Sequence, residues 1–269
     1  MCKQLSFQMP VLFVGHGNPM NSISANQYTR GWEALGKSIP EPKAILAISA
    51  HWYIPETRVT VMHPPRTIHD FYGFPKELYE IEYPAPGCPE LAERVADLLK
   101  PDSVGLDQDW GLDHGTWSVL RHIYPKADVP VIQLSLGTRK SPEEHYRLGQ
   151  QLKALRKDGV LIIGSGNIVH NLSGFSWENP STTPPGWAVE FEEWNRNLLM
   201  TGDASALIDY PGTGEMARLS APTPDHYLPL LYLAGLYEPN DEASFPVEGF
   251  DGGTMSMLSV LLTSQEENR

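Results

Sequence analysis

Ala44-Ile45-Leu46-Ala47-Ile48-Ser49-Ala50-His51-Trp52 is a run of small and β-branched apolar residues that closes on a histidine. Fenced by Pro42 and Pro55, it is too short for a buried helix and reads as a strand buried on both faces of a parallel sheet. The chain repeats the idea twice. Val11-Leu12-Phe13-Val14-Gly15-His16-Gly17 is a second apolar run ending in histidine. Val160-Leu161-Ile162-Ile163-Gly164-Ser165-Gly166-Asn167-Ile168-Val169-His170 is a third, with a glycine-rich turn before the imidazole. Open α/β sheets bind ligands beyond the carboxyl ends of their strands. Three histidines delivered to strand ends can therefore meet in one place. The fold class expected is α/β, a single domain with a central, mostly parallel (mixed) sheet flanked by helices.

Composition sets the outer limits. The 269 residues, 41% of them hydrophobic, suffice for one sizeable core, and no internal repeat or linker divides residues 1–269. A formal net charge of −13 excludes nonspecific attraction to nucleic acid or anionic lipid. A neutral or cationic small substrate fits, as does an anionic one met by a local basic group. Cys2 and Cys88 form neither a metal knuckle nor an expected disulfide. The first ten residues lack signal-peptide character, and no apolar run approaches the ~20 residues that span a bilayer. A cytoplasmic protein is the expectation.

Along the chain, a helix is predicted from Asn26 to Ser38, with Trp32 and Leu35 on one face. The stretch from His63 to Pro86 is a loop rich in proline and aromatics, read as a lid over the site. A helix follows from Pro89 to about Lys100. Ser141-Pro142-Glu143-Glu144 is a strong helix start, with serine as N-cap, proline at the first position and Glu144 completing a capping box. That helix is expected to run to Gly159, giving a strand–helix–strand crossover and a parallel core. Trp187, Phe191, Trp194 and Leu198 mark the buried stripe of a further helix. The helix containing Pro229 is expected to begin just before it, since proline is tolerated only in a first turn. The segment from Thr254 to Thr263 is expected to add an edge strand.

Position selects among the histidines. His16, His51 and His170 follow apolar strands, and His226 follows a double-proline turn. Imidazole suits zinc and iron, and three protein ligands keep positions open for chemistry. From spacing alone all four are candidate ligands, with a metal site and a purely structural role both open. His114, beside Asp113, can exchange a proton or cap a helix. His69 lies in the lid and is a candidate substrate contact. His63, His122 and His145 are assigned structural roles, His145 on the solvated side of its helix. Asp225 is expected to cap the following helix rather than to orient His226. Gly164-Ser165-Gly166-Asn167 is not a nucleophile elbow, a dinucleotide fingerprint or a P-loop.

Six motifs occur in a family order. They are Gly15-His16-Gly17-Asn18-Pro19, Ser49-Ala50-His51-Trp52, Ile68-His69-Asp70-Phe71-Tyr72-Gly73-Phe74-Pro75, Leu112-Asp113-His114-Gly115-Thr116-Trp117, Gly164-Ser165-Gly166-Asn167-Ile168-Val169-His170-Asn171 and Thr223-Pro224-Asp225-His226-Tyr227. Together they resemble the class III extradiol ring-cleavage dioxygenases, in particular the bacterial and plant DOPA 4,5-dioxygenase group, over nearly the whole chain. The resemblance implies a phosphorylase/hydrolase-like scaffold and an oxidoreductase that opens a catechol such as DOPA with both atoms of O2. It implies His16, His51 and His226 as metal ligands, His170 as acid/base or an additional metal contact, and His114 as a second catalytic histidine. Fe(II) is implied for activity. An all-histidine site, carrying less ligand charge than a two-histidine, one-carboxylate triad, is also attractive to Zn(II), expected in purified protein. The partners implied are a small-molecule catechol and O2, with no nucleic acid or membrane; the natural catechol and the oligomeric state stay open. The competing readings are a zinc hydrolase on the same scaffold and a non-catalytic metal-binding protein. No glutamate adjoins the four histidines to serve the first, and metal storage needs neither His114 nor His170.

Overall fold

The apolar runs do form the centre of a sheet. A computed structural model describes residues 8–264, so Cys2 lies outside the described residues, while Cys88 is a free thiol. In chain order the first half contains β1 (Val11–Gly15), α1 (Gln27–Ser38), β2 (Ala44–Ile54), β3 (Thr57–Thr60), α2 (Pro89–Leu98), β4 (Val104–Asp107), α3 (His114–Ile123) and β5 (Val131–Gly137). The second contains α4 (Pro142–Gln151), α5 (Ala154–Lys157), β6 (Val160–Gly166), α6 (Gly186–Thr201), α7 (Ala204–Ile208), α8 (Glu215–Ser220) and α9 (Leu228–Leu236). It closes with β7 (Asp241–Val247), β8 (Phe250–Asp251), β9 (Met255–Ser256) and β10 (Ser259–Ser264).

Eight strands join in the order β4-β3-β5-β2-β6-β1-β10-β7. The centre, β5-β2-β6-β1, is parallel; β10 and β7 run antiparallel on one side. Alternation along each strand splits its side chains between two cores. Leu46, Ile48 and Ile162 face one cluster with Leu91 of α2, Leu148 of α4 and Leu231 of α9. Ile45, Ala47 and Leu161 face the other with Trp32 of α1 and Trp117 of α3. The helices therefore cover both faces, which is why the central strands are apolar without interruption.

Several expectations need correction. β2 does not end at His51 but continues to Ile54; against β5, pairing jumps from Ile48↔Leu134 to Tyr53↔Leu136. The extra residues bulge, and bulges re-aim side chains near sites. The helix begun by the Ser141 capping box stops at Gln151, and α5 is a separate turn before Gly159, whose φ is +88°. His145 is fully buried rather than solvated, its ring between the Tyr232 hydroxyl (3.2 Å) and the Gly137 carbonyl (3.2 Å). In α6 the inward face carries Ala188, Phe191, Glu192, Asn195 and Leu199, while Trp187, Trp194 and Leu198 are half-buried. Two polar residues can face in because Asn195 accepts from Tyr227 Oη (2.6 Å) and Glu192 accepts from Ser256 Oγ. β10 is interior, paired on both sides, and the edge falls to β7. β7 escapes a periodicity reading because it is half polar and contains Pro246, a residue suited to edges.

Candidate metal centre

Strand order brings the histidines together. β1 lies next to β6, and β6 next to β2, so His16, directly after β1, and His51, just past the stretch of β2 that pairs with β6, emerge close together on the carboxyl side of the parallel strands. The α3 N-terminus, capped by Asp113 accepting from Thr116 N–H, places His114 against His51 with ring centroids 3.9 Å apart. His226, just before α9, lies 5.3 Å from His16 and 5.1 Å from His51 by ring centroids. Among the described residues, the acidic, cysteine and histidine side chains with ligand atoms all within 4.8 Å of one another are His16, His51 and His114.

Hydrogen bonds decide which nitrogen of each ring is free. Ser165 Oγ donates to the Gly115 carbonyl (2.6 Å), so it accepts from His16 Nδ1–H (3.0 Å). Asp70 Oδ2 accepts from His114 Nδ1–H (2.9 Å) and lies 3.2 Å from His51 Nδ1. Asp225 Oδ2 accepts from His226 Nδ1–H (2.5 Å). Asp225 thus orients His226 instead of capping α9, which starts without a side-chain cap. The rings of His16, His114 and His226 therefore present an Nε2 lone pair. The Nε2 atoms of His16 and His51 lie 3.0 Å apart, and buried Nε2 of His226 has no hydrogen-bond partner among the described residues. Two ring nitrogens this close share either a proton or a cation. A histidine bound to metal through one nitrogen and held at the other by a carboxylate or hydroxyl is the usual construction of a metal site, so the residues fit a metal ion.

His170 lies differently. Its ring stacks on His226 with centroids 3.5 Å apart and planes 4° from parallel. Lone pairs lie in the ring plane, so two parallel, stacked imidazoles cannot both point at one ion. Its backbone is pinned by an N–H bond to the Ser220 carbonyl (2.7 Å).

Burial first, and repulsion among the rings second, pushes His16, His51 and His170 well below the usual histidine range, leaving them neutral at pH 7. Burial opposes the charge on Asp70, yet its bonds from His114 outweigh this and hold the carboxyl below its ordinary value. The same contest at Asp225, won by His226, holds that carboxyl at about 2. Beneath the rings runs a buried polar chain. Asp113 accepts from Ser49 Oγ (2.7 Å) and from Gln133 Nε2, and Ser49 Oγ in turn accepts from His51 N–H (3.2 Å). Burial, then the nearby Asp70, raises Asp113 to about 6.

The aromatic loop covers the cluster. Phe71 meets His114 edge-on (5.5 Å, 88°), and contacts continue through Phe74 and Trp177 to Phe175. His69 is not brought into the histidine cluster: its Nε2 meets the Ile81 carbonyl (3.0 Å) and its ring packs on Phe71 and Trp117. Trp52, beside His51, is buried and stacks on Trp110. His63 and His122 bond to backbone carbonyls, in keeping with structural roles. Sequence reasoning passes over Asp70 and Ser165. Both sit inside motifs singled out for other reasons, one after His69 and the other in the glycine-rich turn.

Comparison with known proteins places the chain in a family. Residues 10–262 match the family described as the catalytic LigB subunit of aromatic ring-opening dioxygenase. A relative from Escherichia coli (strain K12), "4,5-DOPA dioxygenase extradiol", is 48% identical over 95% of this chain and 95% of its own. A protein of the same name from Beta vulgaris is 39% identical over 94% of this chain and 96% of its own. The crystal structure of uncharacterized protein JW3007 from Escherichia coli K12 superposes with a TM-score of 0.83 at 43% identity, covering 94% of this chain and 99% of that one. Among the described residues no helix is long and apolar enough to cross a membrane. By its sequence, its mixed sheet and its histidine cluster, the chain belongs to the LigB family of aromatic ring-opening dioxygenases, the class III extradiol enzymes.

Proposed function

We propose that this chain, as one catalytic domain over residues 1–269, opens the ring of a DOPA-type catechol with O2 beside the diol, using Fe(II) held by His16, His51 and His226. The substrate class is supported by the names of the curated relatives. The ligand set is supported by His16 Nδ1 being held by Ser165 and His226 Nδ1 by Asp225, which leaves the buried, unpartnered Nε2 of His226 for a metal; His114, likewise held at Nδ1 by Asp70 and within 4.8 Å of His16 and His51, is the competing third ligand. When bound, Fe(II) would acidify the catechol hydroxyls and bring the catechol and O2 together for electron transfer. The same donor set takes Zn(II), and purified protein is expected to carry some.

The chain's own residues handle the protons. His170, neutral and parallel to His226, takes the proton of the catechol hydroxyl. His114 donates Nδ1–H to Asp70, so its Nε2 is the acceptor that faces substrate and later returns a proton. Phe71, Phe74 and Trp177 exclude water while the ring opens, and His69 braces Phe71 from behind. The carboxylates nearest the cluster, Asp70 and Asp225, are both engaged by imidazole N–H groups. Neither is free to act as the base of a zinc hydrolase.

The test is anaerobic loading with Fe(II), then L-DOPA or a simple catechol with O2. A yellow semialdehyde and matching O2 uptake are expected. His51→Ala should abolish metal loading, whereas His170→Ala should keep metal and lose turnover. No product and no O2 uptake with any catechol tested would sink the dioxygenase reading; an empty His170→Ala site would make His170 a ligand.

A further inference from the structure

Asp70 sets one carboxylate against two rings. Oδ2 accepts from His114 Nδ1–H (2.9 Å) and lies 3.2 Å from His51 Nδ1, while Oδ1 accepts from the His114 backbone N–H (2.8 Å). One of these rings belongs to the metal centre and the other to proton transfer, and Asp70 stands behind both. Its side chain is 14% exposed. The residue also begins the aromatic turn whose Phe71 meets His114 edge-on. The backbone bond clamps the carboxylate to the first residue of α3, so it cannot swing to serve one ring and abandon the other.

We infer that Asp70 is a positioning residue that sets the tautomer of His51 and His114 together and couples the metal centre to the aromatic loop. The inference rests on His51 being a metal ligand. A carboxylate behind a ligating imidazole fixes its orientation and raises its basicity, and losing such a partner costs roughly 10–100-fold in metal affinity. The donor count makes the substitution Asp70→Asn informative. Asparagine has one acceptor oxygen to set against the His114 backbone N–H and the two Nδ1 atoms. If its oxygen keeps the backbone N–H, its amide faces two Nδ1 atoms and drives both rings to the Nε2–H tautomer, which cannot ligate through Nε2. If the amide flips, two donors collide at the α3 N-terminus.

The experiment uses the full metal-free chain and Zn(II) alone, titrated against a chromophoric chelator, with imidazole nitrogen shifts read by NMR. Wild type is expected to show His51 and His114 as Nδ1–H tautomers. Asp70→Asn is expected to bind Zn(II) roughly 10–100-fold more weakly. Tyr72→Ala, 91% exposed two residues along the same loop, is expected to bind as wild type does. Asp70→Asn binding with unchanged affinity would overturn the inference. So would Nε2–H tautomers in the wild-type rings, a measurement that needs no variant to fold. Wild-type protein that binds neither Zn(II) nor Fe(II) would overturn the metal reading itself, and this inference with it.

Discussion

Gly115→Ala is the substitution that most sharply tests how little room the site has. Gly115 is the second residue of α3, directly under the histidine cluster. A Cβ there would lie 2.7 Å from Ser49 Oγ, 2.9 Å from His51 Cδ2 and 3.3 Å from Ser165 Oγ. Carbon atoms rest at about 3.5–4.0 Å, so His51 must retreat by roughly 0.6 Å or more. Ser49 must move too, although it holds both Asp113 and the His51 backbone. Global stability changes little. Alanine gains at most about 1 kcal/mol in helix propensity, against about 1–3 kcal/mol for overpacking. The net cost of ~0–2 kcal/mol is a shift of only a few degrees in Tm for a chain of this size. Function should suffer far more, since reacting groups misplaced by ~1 Å can lose about 100-fold in rate. The assay pairs thermal unfolding with Zn(II) affinity and with catechol-dependent O2 uptake after Fe(II) loading. The expected result is a near-native Tm with metal affinity down about 10-fold or more and turnover down about 100-fold. Native affinity and turnover in a folded Gly115→Ala protein would refute the claim that His51 is wedged in place.

Two further predictions concern buried charge. Glu192 is pushed up to about 7, chiefly by burial. Its folded-state value lies above its unfolded one, so the stability it contributes is whole below about pH 4.5 and is lost as pH rises through about 7. The whole loss amounts to ~3 kcal/mol, of which ~2 kcal/mol falls between pH 5.5 and 8.5; urea unfolding at those two pH values should show it in wild type and not in Glu192→Gln, and equal pH slopes would dismiss the assignment. Arg156 and Asp241 form a fully buried two-point ion pair (2.6 and 2.8 Å) that ties the edge strand β7 to the Met9 and Leu236 carbonyls. Asp241→Ala should cost about 3–5 kcal/mol by stranding the guanidinium, while Arg156→Met with Asp241→Leu should recover most of it; urea unfolding decides, and a loss under ~1 kcal/mol in the single variant would contradict the pair's burial.

Legibility from sequence follows the range of the interaction. The Ser141 capping box, the start of α1 beside Asn26 and the first-turn place of Pro229 are readable because each is settled within four residues. Periodicity misplaces the stripe of α6 because Glu192 and Asn195 are buried by partners found elsewhere in the chain, on Ser256 and Tyr227. Asp225 misleads for a related reason: next to a helix start, capping and orienting His226 are equally local, and only the direction of its side chain separates them.

The sequence by itself determined that buried strands carry histidines to or near their ends, that a crossover joins β5 to β6, and that six ordered motifs resemble the extradiol family. Tertiary structure decided which of those histidines meet. β2 inserts between β5 and β6, and β6 lies beside β1, through pairings such as Ala44↔Val160 and Val11↔Ile162 that join distant parts of the chain. That order sets the Nε2 atoms of His16 and His51 3.0 Å apart, lays His170 flat against His226, and brings Asp70 from a loop to lie against two rings at once. Periodicity and capping are properties of neighbouring residues; a metal site is a property of strand order, which packing energy alone selects.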